Sequence, residues 1–368
     1  MERRDFIRMS GVAAAMASLP AGSWANLSGM TDEAFEAKVK ELVGKLTLDE
    51  KLSMMGGSLA NTVSAAFTGI FKPGQGHGYT GFSKAVPRLK IESIKMLDGP
   101  RGVGFLYKTT CFPVGMARGA TFDPALEEKV GEAMGYETRA LGAHMLLAPC
   151  INVVWHPRWG RSQETYGEDP DHLGAMGAAF TRGCQKHAMV CVKHYAVNNI
   201  EDTRMDVDAI VDERTLRETF IPHFKECCDA GAASIMSAYN LVNGAKAGQN
   251  RRITREILKE EWKWDGVVVS DWYTAMDDAV LAANGGIDIE MPQAKVYALD
   301  KLKAGVESGQ IKPEYIDDAA ARILRATLRY VTPDYTKGYS QKEIAGPRHT
   351  ALAREVAEKG MVLLKNDG

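Results

Sequence analysis

Eight polar residues stand at the ends of apolar runs in this chain: Asp98 after "IKML", Asn152 after "APCI", Lys193 and His194 after "MVCV", Tyr239 and Asn240 after "IMSA", Asp271 after "VVVS" and Glu290 after "DI". One such placement means little. Together they point to one rim, because active sites of parallel α/β folds collect at the carboxyl ends of the strands. Carboxylates, a Lys-His pair, the arginine loop "PRWGRSQETYGEDP" and the aromatics Trp155 and Trp272 suit an uncharged, polyhydroxylated ligand. A sugar ring offers flat C–H faces to indoles and hydroxyls to charged donors and acceptors. Fixed carboxylates beside it stabilise an oxocarbenium-like transition state.

Asp271 carries the sharpest ambiguity. In "GVVVSDWY" a run of valines with no polar alternation predicts a strand buried on both faces. An aspartate at its end is a helix N-cap, a functional carboxylate, or both. Lys193 has a rival too: a strand-end lysine in a barrel can form a Schiff base, which keeps an aldolase-like lyase open.

The elements that must position these residues alternate. "IESIKMLDGPRGVGF", "HMLLAPCINV", "MVCVKHYAVNN", "ASIMSAYNLVNG", "VVVSDW" and "IDIEMP" are strand-like, and amphipathic helical stretches separate them. Asp123 followed by Pro124 predicts a capped helix start, and Thr47 with Glu50 predicts a capping box. The repeat of strand and helix predicts an α/β fold of (β/α)8, TIM-like barrel type over residues 26–331. A polar linker spans 332–347. Residues 348–368 then predict a helix and an apolar strand, "MVLLKNDG", read as the start of a truncated second α/β sandwich domain.

Bulk composition excludes several classes. The 368 residues carry a formal net charge of -2 with no Lys/Arg block, which removes the footprint of nucleic-acid binding. No apolar run approaches the ~20 residues of a membrane span. Residues 1–25 place Arg3 and Arg4 before Phe6, a short apolar stretch and a small-residue ending at Ser23–Ala25. This resembles a twin-arginine export signal and predicts a periplasmic or secreted protein, with no membrane association after cleavage. Cys111, Cys150, Cys184, Cys191, Cys227 and Cys228 lack metal or redox spacing and read as small buried hydrophobes, with a disulfide among them left open. No Walker loop or G-x-G-x-x-G after a strand is present, so neither a cofactor nor a metal is expected. The glycine-rich "GQGHGYTG" reads as a mobile loop.

The ordered motifs "MLDGPRG", "PRWGRSQETYGEDP", "CVKHYAVNN", "SIMSAYNLVNG", "GVVVSDW" and "LAREVAEKGMVLLKNDG" resemble glycoside hydrolase family 3, in its two-domain β-glucosidase branch. The resemblance implies a retaining, exo-acting β-glycosidase acting on small or oligomeric β-glycosides through a covalent intermediate. It implies that Asp271 is the nucleophile and that Asp98 grips hydroxyls at the far side of the terminal sugar. Arg161, Lys193 and His194 look like donors to the remaining hydroxyls, Tyr239 like the neighbour of the nucleophile, and Trp272 like the wall of the entrance. One part has no counterpart. In the two-domain relatives the general acid comes from the second domain, and in the single-domain relatives from an Asp-His pair in a Gly-His-Gly loop. Here that stretch reads "KHYAVNNIEDTRMDVD". Glu164, Glu201, Asp202 and Glu290 are the carboxylates at hand, and none matches an acid position. The expectation is an acid from a second domain or subunit, or else a carbohydrate-binding remnant with little turnover.

Overall fold

A computed structural model describes residues 30–58, 79–104, 108–332 and 338–368. Residues 1–25, read above as an export signal, the glycine-rich residues 74–78 and residues 333–337 of the expected linker lie outside the described residues.

Seven strands are neighbours in chain order: β1 (Gly57–Ser58), β2 (Gly81–Ser83), β3 (Lys95–Asp98), β4 (Met145–Leu147), β5 (Met189–Tyr195), β6 (Ser234–Ser237) and β7 (Val267–Val269). From β3 to β7 every pairing is parallel. Residues 288–290 close the ring, because Ile289 bridges Val269 and Glu290 bridges Gly56, both in parallel. The backbone bonds of that seam are ordinary ones, Ser270 N–H to Ile289 O at 2.9 Å and Gly57 N–H to Glu290 O at 2.8 Å. The result is a TIM-like α/β barrel. β7 shows why the valine run belongs there: Val267, Val268 and Val269 are fully buried, so each places its side chain in either the barrel interior or the helical layer.

One strand departs from the parallel pattern expected from sequence. β2 runs antiparallel to both β1 and β3. Only residues 84–94 join β2 to β3, and their sole helical element is the short turn Pro87–Leu89. A parallel return needs a crossover of a dozen or more residues, so this link turns the chain straight back.

The outer helices start where their caps dictate. The Asp123 carboxylate accepts the Leu126 N–H to open Pro124–Ala140, and Asp169 accepts the His172 N–H to open Pro170–Cys184. Asp278 does the same for Ala279–Gly285 through the Leu281 N–H. Asp271 therefore does not cap the following helix, which begins seven residues later than the dual reading required. Its carboxylate stays free for other work.

At the carboxyl-terminal end, the helix Pro347–Gly360 docks on the barrel through His349, whose Nδ1 lies 2.7 Å from the buried Glu137 carboxylate. Residues 361–368 form no strand, and Met361, Val362, Leu363 and Leu364 are exposed. An apolar run becomes a strand only when a sheet edge accepts its hydrogen bonds, and none among the described residues does. The six cysteines are free; Cys111 is exposed rather than buried, its Sγ 3.6 Å from the Arg101 guanidinium. No helix among the described residues is long and apolar enough to cross a membrane.

Candidate active site

The carboxyl end of the barrel is a cup with charge on its walls. Asp98 ends β3, and Gly99 follows it at φ 152°, a conformation open to glycine, which turns its N–H back onto Asp98 Oδ1 at 2.9 Å. The same oxygen accepts from Lys193 Nζ at 2.9 Å. Half of the Asp98 side chain stays open to solvent while Lys193 is buried, so the pair presents an accessible carboxylate backed by a fixed cation. Burial opposes charge on both partners, yet their mutual attraction outweighs it. Asp98 is held below the usual carboxylate range and Lys193 above the usual amine value.

Asp271 leaves β7 at the opposite wall. Its Oδ1 accepts the Trp272 N–H at 2.7 Å, while its Oδ2 is buried and without a hydrogen-bond partner. Burial is the main influence on this carboxyl and raises its pKa; the Trp272 N–H and the charges of Arg161 and Lys193 pull the other way without cancelling it. The Tyr239 hydroxyl faces the same carboxylate short of full hydrogen-bond geometry, and burial together with that negative charge drives the phenol well above its ordinary range. Trp272 lies half-buried at the mouth, its indole N–H donating to the Thr80 carbonyl at 3.2 Å.

His194 is fully enclosed, with Nε2 3.7 Å from Asp271 Oδ2. Burial, then the charges of Arg161, Lys193 and Arg204, hold the imidazole well below its usual pKa, so this contact joins a neutral ring to the carboxylate. Arg161 is gripped by Glu164 through two bonds, Nε to Oε1 at 3.1 Å and Nη2 to Oε2 at 2.8 Å. This ion pair fixes a cation whose field reaches both Asp98 and Asp271. All seven residues singled out from sequence, Asp98, Arg161, Lys193, His194, Tyr239, Asp271 and Trp272, take part in one linked set of contacts and fields around this cup. Trp155 instead is exposed and packs on Phe220, the ring centroids 5.6 Å apart.

Two contributors were not singled out from sequence. Thr80 accepts the Asp98 N–H on its hydroxyl at 3.1 Å and the Trp272 indole on its carbonyl, tying the two walls together. Arg204 lays its guanidinium over the Tyr239 ring, 4.6 Å from the centroid, and is paired with Glu201 at 2.5 Å. The Glu201–Arg204 spacing of three residues was the available signal.

Three of the four spare carboxylates hold other groups. Glu164 holds Arg161, Glu201 holds Arg204, and Asp202 is exposed in the loop after β5. Glu290, on the seam that closes the barrel, accepts the backbone N–H groups of Lys295, Val296 and Tyr297 at 2.9, 2.9 and 2.6 Å. This is a loop anchor. Replacing Glu290 with alanine strands those donors and is expected to cost about 3 kcal/mol of stability, read from urea denaturation. A loss under ~1 kcal/mol would refute the anchoring role.

The carboxyl rim of this TIM-like barrel thus sets a buried carboxylate with one unpartnered oxygen opposite an Asp-Lys pair. Residues 78–326 match the glycosyl hydrolase family 3 N-terminal domain, and the chain belongs to that family. A beta-glucosidase of Rhizobium radiobacter is 36% identical over 90% of this chain and 39% of its own length. Thermostable beta-glucosidase B of Acetivibrio thermocellus is 34% identical over 89% of this chain and 42% of its own length. The solved beta-glucosidase 3B of Thermotoga neapolitana in complex with alpha-D-glucose superposes with a TM-score of 0.81 at 33% identity, covering 90% of this chain and 48% of that one. The chain thus spans about two-fifths of the length of these curated relatives.

Proposed function

We propose that this barrel belongs to a retaining, exo-acting β-glycosidase of β-glucosidase type. The observation that carries the reading is Asp271: one carboxylate oxygen is fixed by the Trp272 N–H while the other is buried and unpartnered at the rim. A terminal sugar seated in the cup meets the open side of Asp98, with the cations of Lys193 and Arg161 beside it. Oδ2 of Asp271 attacks the anomeric carbon as the bond to the leaving oxygen breaks, and water later releases the sugar from the ester. The glucose-bound relatives and the beta-glucosidase names around this chain support a glucoside as the substrate.

The Schiff-base reading of Lys193 has lost its basis. That chemistry needs an amine with a lowered pKa, and Asp98 raises this one. A purely carbohydrate-binding role leaves the Asp271 geometry unused.

Protonation of the leaving oxygen requires a second carboxyl about 5–5.5 Å from the nucleophile in retaining enzymes. Because Glu164, Glu201 and Glu290 are engaged, we assign this proton to a carboxyl outside the described residues, from a second α/β domain in cis or from a partner. The test of the nucleophile avoids that dependence. A 2-deoxy-2-fluoro β-glucoside with a dinitrophenyl leaving group should leave one fluoroglucosyl adduct per chain, mapped by mass spectrometry to Asp271. No adduct, or an adduct on another residue, refutes the assignment.

We also read residues 1–25 as a twin-arginine export signal, on the strength of Arg3, Arg4 and the small-residue ending at Ala25, and place the mature protein in the periplasm or outside the cell. Substituting Arg3→Lys and Arg4→Lys together should leave the uncleaved chain in the cytoplasmic fraction. Unchanged export would overturn the reading.

A further inference from the structure

Asn152 follows β4 at the rim, buried, and turns both ends of its amide to His194. Its Nδ2 donates to the His194 carbonyl at 2.8 Å, and its Oδ1 accepts the His194 backbone N–H at 2.9 Å. These two backbone groups have fixed polarity, so turning the amide over would set donor against donor and acceptor against acceptor. The imidazole Nδ1 lies 3.1 Å from the same Oδ1, and the Cys150 Sγ lies farther out, 3.8 Å from both, with its thiol placed to donate to Oδ1. An amide oxygen has no proton to give, so the proton in that contact belongs to Nδ1. The ring is neutral, being buried and surrounded by the cations of Arg161, Lys193 and Arg204. With its single proton on Nδ1, the ring leaves a bare lone pair on Nε2.

That lone pair faces the unpartnered Oδ2 of Asp271 across 3.7 Å. Two acceptors held this close gain nothing from each other. An oxygen about 2.8 Å from both atoms fits over the gap, and one that carries a hydrogen can donate into it.

We propose that Asn152 is a positioning residue that sets the Nδ1–H tautomer of His194 and makes Nε2 an acceptor for a hydroxyl of the bound sugar beside the nucleophile. The family resemblance casts His194 as a donor; this geometry reverses its part. The identity of the hydroxyl rests on the glycosidase reading, whereas the tautomer does not. The consequence is selectivity for a hydroxyl at that position, because a deoxy or fluoro analogue leaves both acceptors facing each other.

Long-range 1H–15N correlation spectra of the chain labelled with 15N-histidine decide the tautomer, with His194→Gln used to assign the signals. The expected result is a neutral His194 protonated at Nδ1 at neutral pH. In Asn152→Leu the proton should move to Nε2 or exchange between the two nitrogens, and glucose inhibition should weaken roughly tenfold. Asn152→Asp keeps an oxygen acceptor, so it should restore Nδ1–H and most of the glucose affinity despite losing the bond to the His194 carbonyl. A proton on Nε2 in the natural chain overturns the proposal by itself, without any variant needing to fold. An unchanged tautomer in Asn152→Leu also overturns it. Nδ1–H with no glucose binding would instead strike at the glycosidase reading and leave the tautomer standing.

Discussion

Asp271→Asn is expected to lower kcat on an aryl β-glucoside by roughly 10⁴-fold or more, the scale of losing a covalent nucleophile, and at the same time to raise thermal stability. The first effect follows from Oδ2, the oxygen that no protein group occupies. Asparagine preserves the shape and the Trp272 contact but cannot form the glycosyl ester. The second follows from the sign of the pKa shift. Burial raises the Asp271 carboxyl above its unfolded value, so the folded chain holds that proton more tightly than the unfolded one. Its favourable contribution is complete below the unfolded pKa near 3.9 and disappears as pH rises through the folded value. At neutral pH the ionised, half-satisfied carboxylate is therefore a burden that asparagine removes. A melting temperature about 1–3 °C higher than the parent at neutral pH is expected, with the gap closing toward pH ~4. A variant both inactive and less stable at neutral pH would mean that Asp271 mainly holds the fold. Activity that survives the substitution would refute its role as nucleophile.

The second large effect concerns the leaving group. Dinitrophenolate departs without a proton, whereas an alkyl alcohol needs one, and a placed general acid is worth about 10²–10⁴-fold on the poorer substrate. With the local carboxylates engaged, the chain should cleave a dinitrophenyl β-glucoside while showing that deficit on a methyl β-glucoside. Its pH dependence should be one-sided. The kcat/KM for the activated substrate should climb as pH passes through the raised pKa of Asp271 and then stay level across the neutral range, since no acid is lost on the alkaline side. A bell-shaped profile with comparable rates on both substrates would place a working acid inside this barrel, with Glu201, whose Oε2 is buried and unpaired, as the first residue to substitute.

Much of the site was legible because it follows a rule of strand ends. The valines of β7 announce a strand buried on both faces, and a charged residue at its exit has few structural excuses. Lys193 and Asp98, nearly a hundred positions apart, could be placed on one rim in the same way, though only the fold brings Nζ within 2.9 Å of Oδ1. The helix cap was misplaced at Asp271 because the strand end was read as the helix start, whereas residues 272–277 turn first and Asp278 accepts the Leu281 N–H to open the helix. Glu290 carried the same strand-end signature as Asp271. What separates them is the set of three backbone donors closing on one carboxylate, a property of loop shape that spacing does not encode. The run at 361–364 was apolar enough for a strand, but pairing is a relation between two segments.

The reversed β2 has a consequence for the width of this mouth. Because β2 starts at the rim, Thr80 enters the cup between Asp98 and Trp272, its hydroxyl accepting the Asp98 N–H and its carbonyl the Trp272 indole N–H. The antiparallel strand thus works as a clasp: one residue couples the spacing of the two walls, so a shift of either is passed on to the other.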